Sequence, residues 1–270
     1  MRVSVFPGPV RLVVVCWLIF LVFSLLPRGQ AAPLPALPPL RVRPVAPDVF
    51  VPTMHYRVPG SAATLVANGL LVQTSKGLML IDGAWSADQT AQLLRWAADS
   101  LHQRVRLVVL TQAGTATPEA LEVLRQHNAR IYSSRPTARR WHSTYPRSAP
   151  PTAALKPYTL IRAGRTRLEL FFPGAGFASD NVVAWLPRRK MLYGGELVRE
   201  QAATSLGSFE TATLKQWPAS LRTLATRYRR ARVVVPAHGS IGNLALLVHT
   251  QKLVREAARR KPTTALGHRP

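Results

Sequence analysis

The sequence predicts an α/β (α+β) chain folded as a four-layer αββα sandwich in a single domain. Three observations predict it. The first half reads as strand, strand, helix, strand, helix, strand, and the second as hairpins followed by helix, strand and helix. Each half carries an apolar, β-branched run that stops in a polar turn: Leu107-Val108-Val109-Leu110 before Thr111, and Val233-Val234-Val235 before Pro236-Ala237-His238. The chain of 270 residues is long enough to bury a real core. Two such halves bury their apolar faces as sheets packed back to back with helices outside. The strand ends of both halves then meet along one edge.

The elements follow in order. Residues 32–48 hold Pro33, Pro35, Pro38, Pro39, Pro44 and Pro47, which reads as an extended linker without a core of its own. The domain is expected over 49–260. Residues 64–74 are strand material interrupted by Gly69, Ser75-Lys76-Gly77 is a tight turn, and 78–82 is a buried strand. Ser86 is an N-cap for a helix over 87–102, with Leu93, Leu94 and Ala97 facing inward. A strand over 104–110, a helix over 118–127 and a strand over 129–133 complete the first half. A Pro- and Arg-rich loop spans 146–157, and His142 is expected in an Arg-rich, solvated loop. Strands over 166–172, 181–186 and 190–193, a helix over 214–228, a strand over 232–236 and a helix over 244–260 make the second half. Residues 261–270 have the composition of a frayed, disordered tail.

Composition narrows the setting. Residues 1–31 read as a secretory signal peptide: Arg2 and Arg11 precede an apolar run over 12–26, and Gly29-Gln30-Ala31 supplies small residues for cleavage. A periplasmic or secreted protein is expected, with an uncleaved N-terminal anchor as the alternative. Cys16, the one cysteine, lies inside that run, so the exported domain has no disulfide and no thiolate chemistry. The net charge is +24, spread over many short Arg groups rather than one stripe. An Arg-rich solvated surface accounts for it. The sharper reading is attraction to an anionic envelope surface. No basic motif interleaved with aromatics appears, so nucleic acid is not expected. A monomer is expected.

Several segments resemble the metallo-β-lactamase superfamily, closest to its two-zinc, cysteine-ligand β-lactamase subclass. They are Gly77-Leu78-Met79-Leu80-Ile81-Asp82-Gly83-Ala84-Trp85, Val109-Leu110-Thr111, Phe172-Pro173-Gly174-Ala175-Gly176, Ser179-Asp180-Asn181, Tyr193-Gly194-Gly195, Ser205-Leu206-Gly207, Trp217-Pro218-Ala219-Ser220-Leu221 and Val235-Pro236-Ala237-His238-Gly239. They run in the family's order from about residue 60 to 250. The resemblance implies the αββα sandwich and a zinc-dependent hydrolase.

It also locates the ligands. Where the family has Thr-His-x-His-x-Asp, this chain has Thr111-Gln112-Ala113-Gly114-Thr115-Ala116, so Gln112, Gly114 and Ala116 stand at ligand positions. Phe177 stands at the next His position, Glu196 at the Cys position, and His238 at the last His position, the one ligand retained. Zinc needs about three His, Cys, Asp or Glu ligands. Glu196 and His238 alone imply at most weak zinc binding, so no cofactor is expected. Without a tightly held metal no bound water reaches a pKa near ~7, and β-lactam hydrolysis is not expected.

The functional expectation is an inactive homologue whose residual cleft binds a small anionic ligand. Arg199 is a candidate for holding that anion, or else it neutralises Glu196 or Glu200. His238 is either a ligand and pocket group or a strand-end histidine kept for packing. Asp82 is expected to orient the neighbouring loop, and Asp180-Asn181 to cap the turn after Phe177. Two alternatives stand beside this: a hydrolase with an atypical single-metal site, and a basic protein that binds the envelope surface.

Overall fold

Strand alternation builds the layers. The structure, a computed structural model, describes residues 37–57, 64–207 and 214–260. The expected signal peptide over 1–31, the first part of the linker and the tail over 261–270 lie outside the described residues. In chain order the strands of the first sheet are β1 (Arg41–Ala46), β2 (Val49–Arg57), β3 (Thr64–Asn68), β4 (Leu70–Val72), β5 (Leu78–Ile81), β6 (Val105–Val109), β7 (Arg130–Ser134) and β8 (Thr152–Leu155). They lie in the order β1-β2-β4-β5-β6-β7-β8, with β3 also paired to β2. The second sheet holds β9 (Tyr158–Ala163), β10 (Thr166–Phe171), β11 (Val183–Leu186), β12 (Met191–Gly195) and β13 (Val233–Pro236), in the order β13-β12-β11-β10-β9. Helices α1 (Ala87–Leu101), α2 (Pro118–Gln126) and α3 (Arg135–Thr144) cover the first sheet, and α4 (Trp217–Arg227) and α5 (Ala245–Arg259) cover the second.

Three apolar cores separate the four layers. In β5, Leu78 and Leu80 face the helices with Leu93, Leu121 and Trp141, while Met79 and Ile81 face the other sheet. In β11 and β12, Ala184, Leu186, Met191 and Tyr193 point between the sheets, and Val183, Trp185 and Leu192 point to α4 and α5. The period of two in each strand thus assigns every side chain to a layer. The predicted αββα sandwich is the observed fold. Among the described residues no helix is long and apolar enough to cross a membrane.

Three departures from the sequence reading have physical causes. The linker read over 32–48 ends early, because Arg41–Ala46 is a strand paired antiparallel to β2. Pro44 is tolerated there because β1 is the sheet's edge and its register shifts between Pro44 and Ala46. The stretch read as an Arg-rich loop around His142 is helix α3. Ser134 caps it by accepting from Thr137 N at 3.2 Å, and Pro136 lies in its first turn. Its buried side chains are only Thr137 and Trp141, so no helical periodicity shows in the sequence; His142 itself is exposed. The loop read over 146–157 contains β8, which pairs parallel to β7 yet buries only Leu155.

Parallel pairing sets where chemistry can sit. β5, β6 and β7 run parallel, as do β12 and β13. Their C-terminal ends release Asp82, Thr111, Gly195 and Ala237 at one end of the sandwich. Val182 N bonds to Thr111 O at 2.9 Å and Asn68 N to Ala237 O at 2.7 Å, which stitches the two sheets together there.

Candidate functional site

A cleft of about 470 Å³ opens at this end. Its walls are mostly apolar, from Leu65, Trp85, Tyr145, Phe177 and Leu206, and its polar groups are Gln112, Arg140, Glu196, Arg199 and His238. Gln112, Gly114, Phe177, Glu196, Arg199 and His238 are thus brought together in one cleft. Ala116 is not. It is 2% exposed, bridged to Ala84 and packed in the first core, because its methyl group cannot reach the cleft.

The floor is built on Asp82. This residue follows β5 with φ 53° and is fully buried. Its carboxylate accepts from Thr111 N at 2.8 Å, Thr111 Oγ1 at 2.5 Å, Thr115 Oγ1 at 2.7 Å and Tyr193 Oη at 3.0 Å. Burial pushes its pKa up to about 6, against the pull of those bonds. Asp82 therefore orients the turn after β6. Within that turn Ala113–Thr115 form one 3₁₀ turn. Gln112 closes it by accepting from Gly114 N at 3.1 Å. Ala113 N donates to Asp180 Oδ2 at 3.1 Å, and Asn181 exchanges bonds with the backbone of Ala178, so Asp180-Asn181 cap the turn after Phe177.

The wall facing this turn is an ionic triad. β12 ends at Gly194-Gly195, and Gly195, at φ 55°, turns the chain so that Glu196 enters the cleft floor with its side chain 5% exposed. Glu196 Oε1 lies 2.7 Å from His238 Nε2, and Oε2 lies 3.1 Å from the Arg199 guanidinium. His238 Nδ1 lies 2.6 Å from Val66 O. A carboxylate and a carbonyl both only accept, so both ring nitrogens must donate. For Glu196, burial works against ionisation, but the bond and charge of His238 and then Arg199 outweigh it and hold the carboxyl below its usual range. Burial opposes protonation of His238 as well, but Glu196 outweighs it and the pKa is raised.

Arg199 is fixed from several sides. Its guanidinium stacks over the Phe177 ring at 5.1 Å and its backbone N donates to Thr250 Oγ1 at 2.8 Å. It neutralises Glu196, and Glu200 instead accepts from Ser240 N at 2.8 Å. Across the cleft Arg140 donates to Ser179 Oγ at 3.1 Å and lies 3.7 Å from the buried Asp180 carboxylate. Among the described residues no group of three or more His, Cys, Asp or Glu is placed to hold a metal ion.

Two positions went unread in the sequence. Arg140 lay inside an Arg run whose helix was not visible. Asn68 holds the His238 loop: its Nδ2 donates to Pro236 O at 3.1 Å and Gly239 O at 2.9 Å, while its Oδ1 accepts from Thr53 at 3.1 Å. The only local signal for Asn68 was a polar residue beside Gly69 in an apolar strand.

Known proteins place this geometry. The chain is 34% identical over 190 residues to a metallo-beta-lactamase type 2 of Bacillus sp. (strain 170), covering 70% of the chain and 73% of that protein. It is 31% identical over 195 residues to the metallo-beta-lactamase type 2 of Bacillus cereus, covering 72% and 75%. Its structure matches a metallo-beta-lactamase from Pontibacter korlensis with TM-score 0.73 and 34% identity, covering 80% of this chain and 99% of that one. A metallo-beta-lactamase from Pseudomonas aeruginosa in its mono-zinc form matches with TM-score 0.76 and 27% identity, covering 83% and 99%. No protein-family model matches the chain. Identity sustained across most of both sequences, with the same sandwich beneath it, makes this chain a member of the metallo-β-lactamase family.

Proposed function

We propose that this protein is an exported family member with a dismantled metal centre, which does not hydrolyse β-lactams and uses the residual cleft to bind a small anionic ligand. The observation that carries the reading is the contact between Glu196 and His238 at 2.7 Å. Zinc binds a deprotonated imidazole nitrogen or a carboxylate oxygen with a free lone pair. Here His238 and Glu196 face one another at 2.7 Å as the two remaining ligand-type side chains, one short of the about three that zinc needs. Gln112, Gly114, Ala116 and Phe177 supply an amide, no side chain, a methyl group and a phenyl ring. This donor set does not fit a zinc ion. The relatives' names make them metallo-β-lactamases; the step that needs a metal-bound water has no support in these side chains.

The same residues suit an anion. Arg140 and Arg199 flank an apolar-walled cleft, and the imidazolium of His238 adds a third positive group against the two carboxylates of Glu196 and the buried Asp180. A ligand with an apolar body and a carboxylate or similar head matches that arrangement.

Zinc analysis of the purified protein, run beside a chromogenic β-lactam assay with added zinc, tests the first half. The expected result is far less than one zinc per chain and no turnover above the zinc blank. Near-stoichiometric zinc with turnover that disappears in His238→Ala overturns the proposal in favour of a single-metal hydrolase. Thermal-shift titration with small aromatic carboxylates tests the second half, and a shift that survives Arg140→Ala and Arg199→Ala together counts against the cleft.

A further inference from the structure

The end of the sandwich opposite the cleft gathers unpaired cations. Because β5, β6, β7, β12 and β13 point their C-terminal ends at the cleft, their N-terminal ends share the other face. In the first sheet that face presents Lys76 between β4 and β5, Arg106 in β6 and Arg130 at the start of β7, all exposed. In the second sheet Arg162 and Arg165 flank the β9–β10 turn, Arg188 lies in the turn after β11, and Arg230 and Arg232 precede β13, again all exposed. The two sets join. Gly164 sits at φ +60° against Ser75, where an added Cβ would collide with the Ser75 hydroxyl, so the turns of the two sheets touch.

Lys76, Arg106, Arg130 and Arg162 line one groove of about 660 Å³ between them, with no carboxylate in its walls. The neighbouring hollow adds Arg165 and Arg188, and its single carboxylate, Asp48, is taken by Arg189 at 2.5 Å. None of the cations named on the two sheets forms an ion pair among the described residues. Helix dipoles explain part of such a face, since α1, α2 and α4 arrive here by their C-termini. They do not explain Arg162 near the end of β9, or Arg165 and Arg188 in the turns after β9 and β11. Charges of one sign crowded together repel and cost stability, and an external anion would relieve that cost.

We propose that this face docks onto a bilayer surface rich in anionic phospholipid. The cations spread over turns of both sheets, which matches a plane of charge better than a single strand. A single-stranded nucleic acid needs exposed aromatics for its bases. Of the aromatic residues at this end, Phe50 and Tyr132 are half-buried, and Trp185 and Tyr228 are buried; the exposed Tyr158 stands beside Tyr228 with its ring under the Arg227 guanidinium at 5.0 Å. A discrete phosphate prefers a helix N-terminus, and none of these cations lies in the first turn of an α-helix. Arg guanidinium groups pair readily with lipid phosphates. The expected export of the chain brings it to a membrane. This proposal does not depend on the reading of the cleft.

The test uses the full chain with vesicles of phosphatidylcholine alone, or with about a third phosphatidylglycerol, and measures the bound fraction by sedimentation. Binding to anionic vesicles is expected to be at least about tenfold tighter than to neutral ones, and the difference to collapse at about 0.5 M salt. Arg162→Glu, Arg165→Glu and Arg188→Glu together are expected to remove at least about tenfold of that preference. Arg41→Glu, Arg95→Glu and Arg139→Glu together, an equal charge change on other exposed surfaces, are expected to remove less than about threefold. Circular dichroism checks that both variants fold. Equal losses in the two variants, or no preference for anionic vesicles, overturn the proposal. Tighter binding to duplex DNA at matched phosphate, lost in the first variant only, also overturns it and assigns the face to nucleic acid.

Discussion

His238 Nε2 and Glu196 Oε1 lie 2.7 Å apart, joined across 42 residues of chain at the point where β12 and β13 end. The two groups pair with one another, and their pKa values move in opposite directions: His238 up, Glu196 down. Each therefore supports the fold only over part of the pH scale.

The pH window follows from the signs. A histidine raised in the fold contributes in full below its ordinary value of 6.5 and loses that contribution as pH rises through the raised one. A glutamate lowered in the fold contributes in full above its ordinary value of 4.5 and loses it as pH falls through the lowered one. His238→Gln should then destabilise the protein most between these limits, by about 1–3 kcal/mol in urea unfolding, with the deficit shrinking as pH rises above neutral. A deficit that stays constant with pH would show that the ring is neutral.

Asp82 behaves in the opposite sense to an ordinary paired carboxylate. Its pKa is pushed up to about 6 by burial, so the fold favours the protonated form, and stability falls as pH rises from about 4 through about 6. Carboxyl carbon NMR should show one aspartate titrating near 6, absent in Asp82→Asn. An Asp82 signal already ionised at pH 4 would contradict the sign.

Trp141 is the anchor of α3, which otherwise buries only Thr137. Trp141→Ala should cost about 3–5 kcal/mol and loosen the helix that presents Arg140 to the cleft. Hydrogen exchange localises the effect: faster exchange over Arg135–Thr144 with the β12 amides protected is the expected pattern.

Asn68 ties β3 to the loop carrying His238 through two backbone carbonyls. Asn68→Ala leaves those carbonyls without their donors and should destabilise by about 1–3 kcal/mol. The imidazole resonances of His238 should shift in the same variant. Unchanged resonances would place the loop's support elsewhere.

The scaffold itself can be asked whether it still accepts a metal. Gln112, Gly114 and Phe177 all line the cleft, and the nearest atoms to a Cβ at Gly114 would be those of the Gln112 side chain at 3.3 Å. Gln112→His, Gly114→His and Phe177→His together should gain one tightly held zinc per folded chain, measured by metal analysis after dialysis, while the parent gains none.

Much of the fold was legible locally. The alternation in β5, where Leu78 and Leu80 take one face and Met79 and Ile81 the other, is written in four consecutive residues. So is the capping of α1 by Ser86, whose hydroxyl accepts from Gln89 N at 3.5 Å. Where burial per element is thin the sequence fell silent: α3 rests on one tryptophan, and β8 on Leu155. The motifs named Gln112, Gly114, Phe177, Glu196, Arg199 and His238, which line the cleft, and Ala116, which does not, because turns that follow β-branched runs are short-range features; Arg140 had no such motif. What tertiary structure alone decided was how those residues spend their hydrogen bonds. No local pattern joins Glu196 to His238, which meet only when β12 pairs with β13 in the second sheet, or brings Lys76 beside Arg162, which needs the second sheet laid on the first. Periodicity is encoded between near neighbours; the partner of a charge is set by which strand ends the packing brings together.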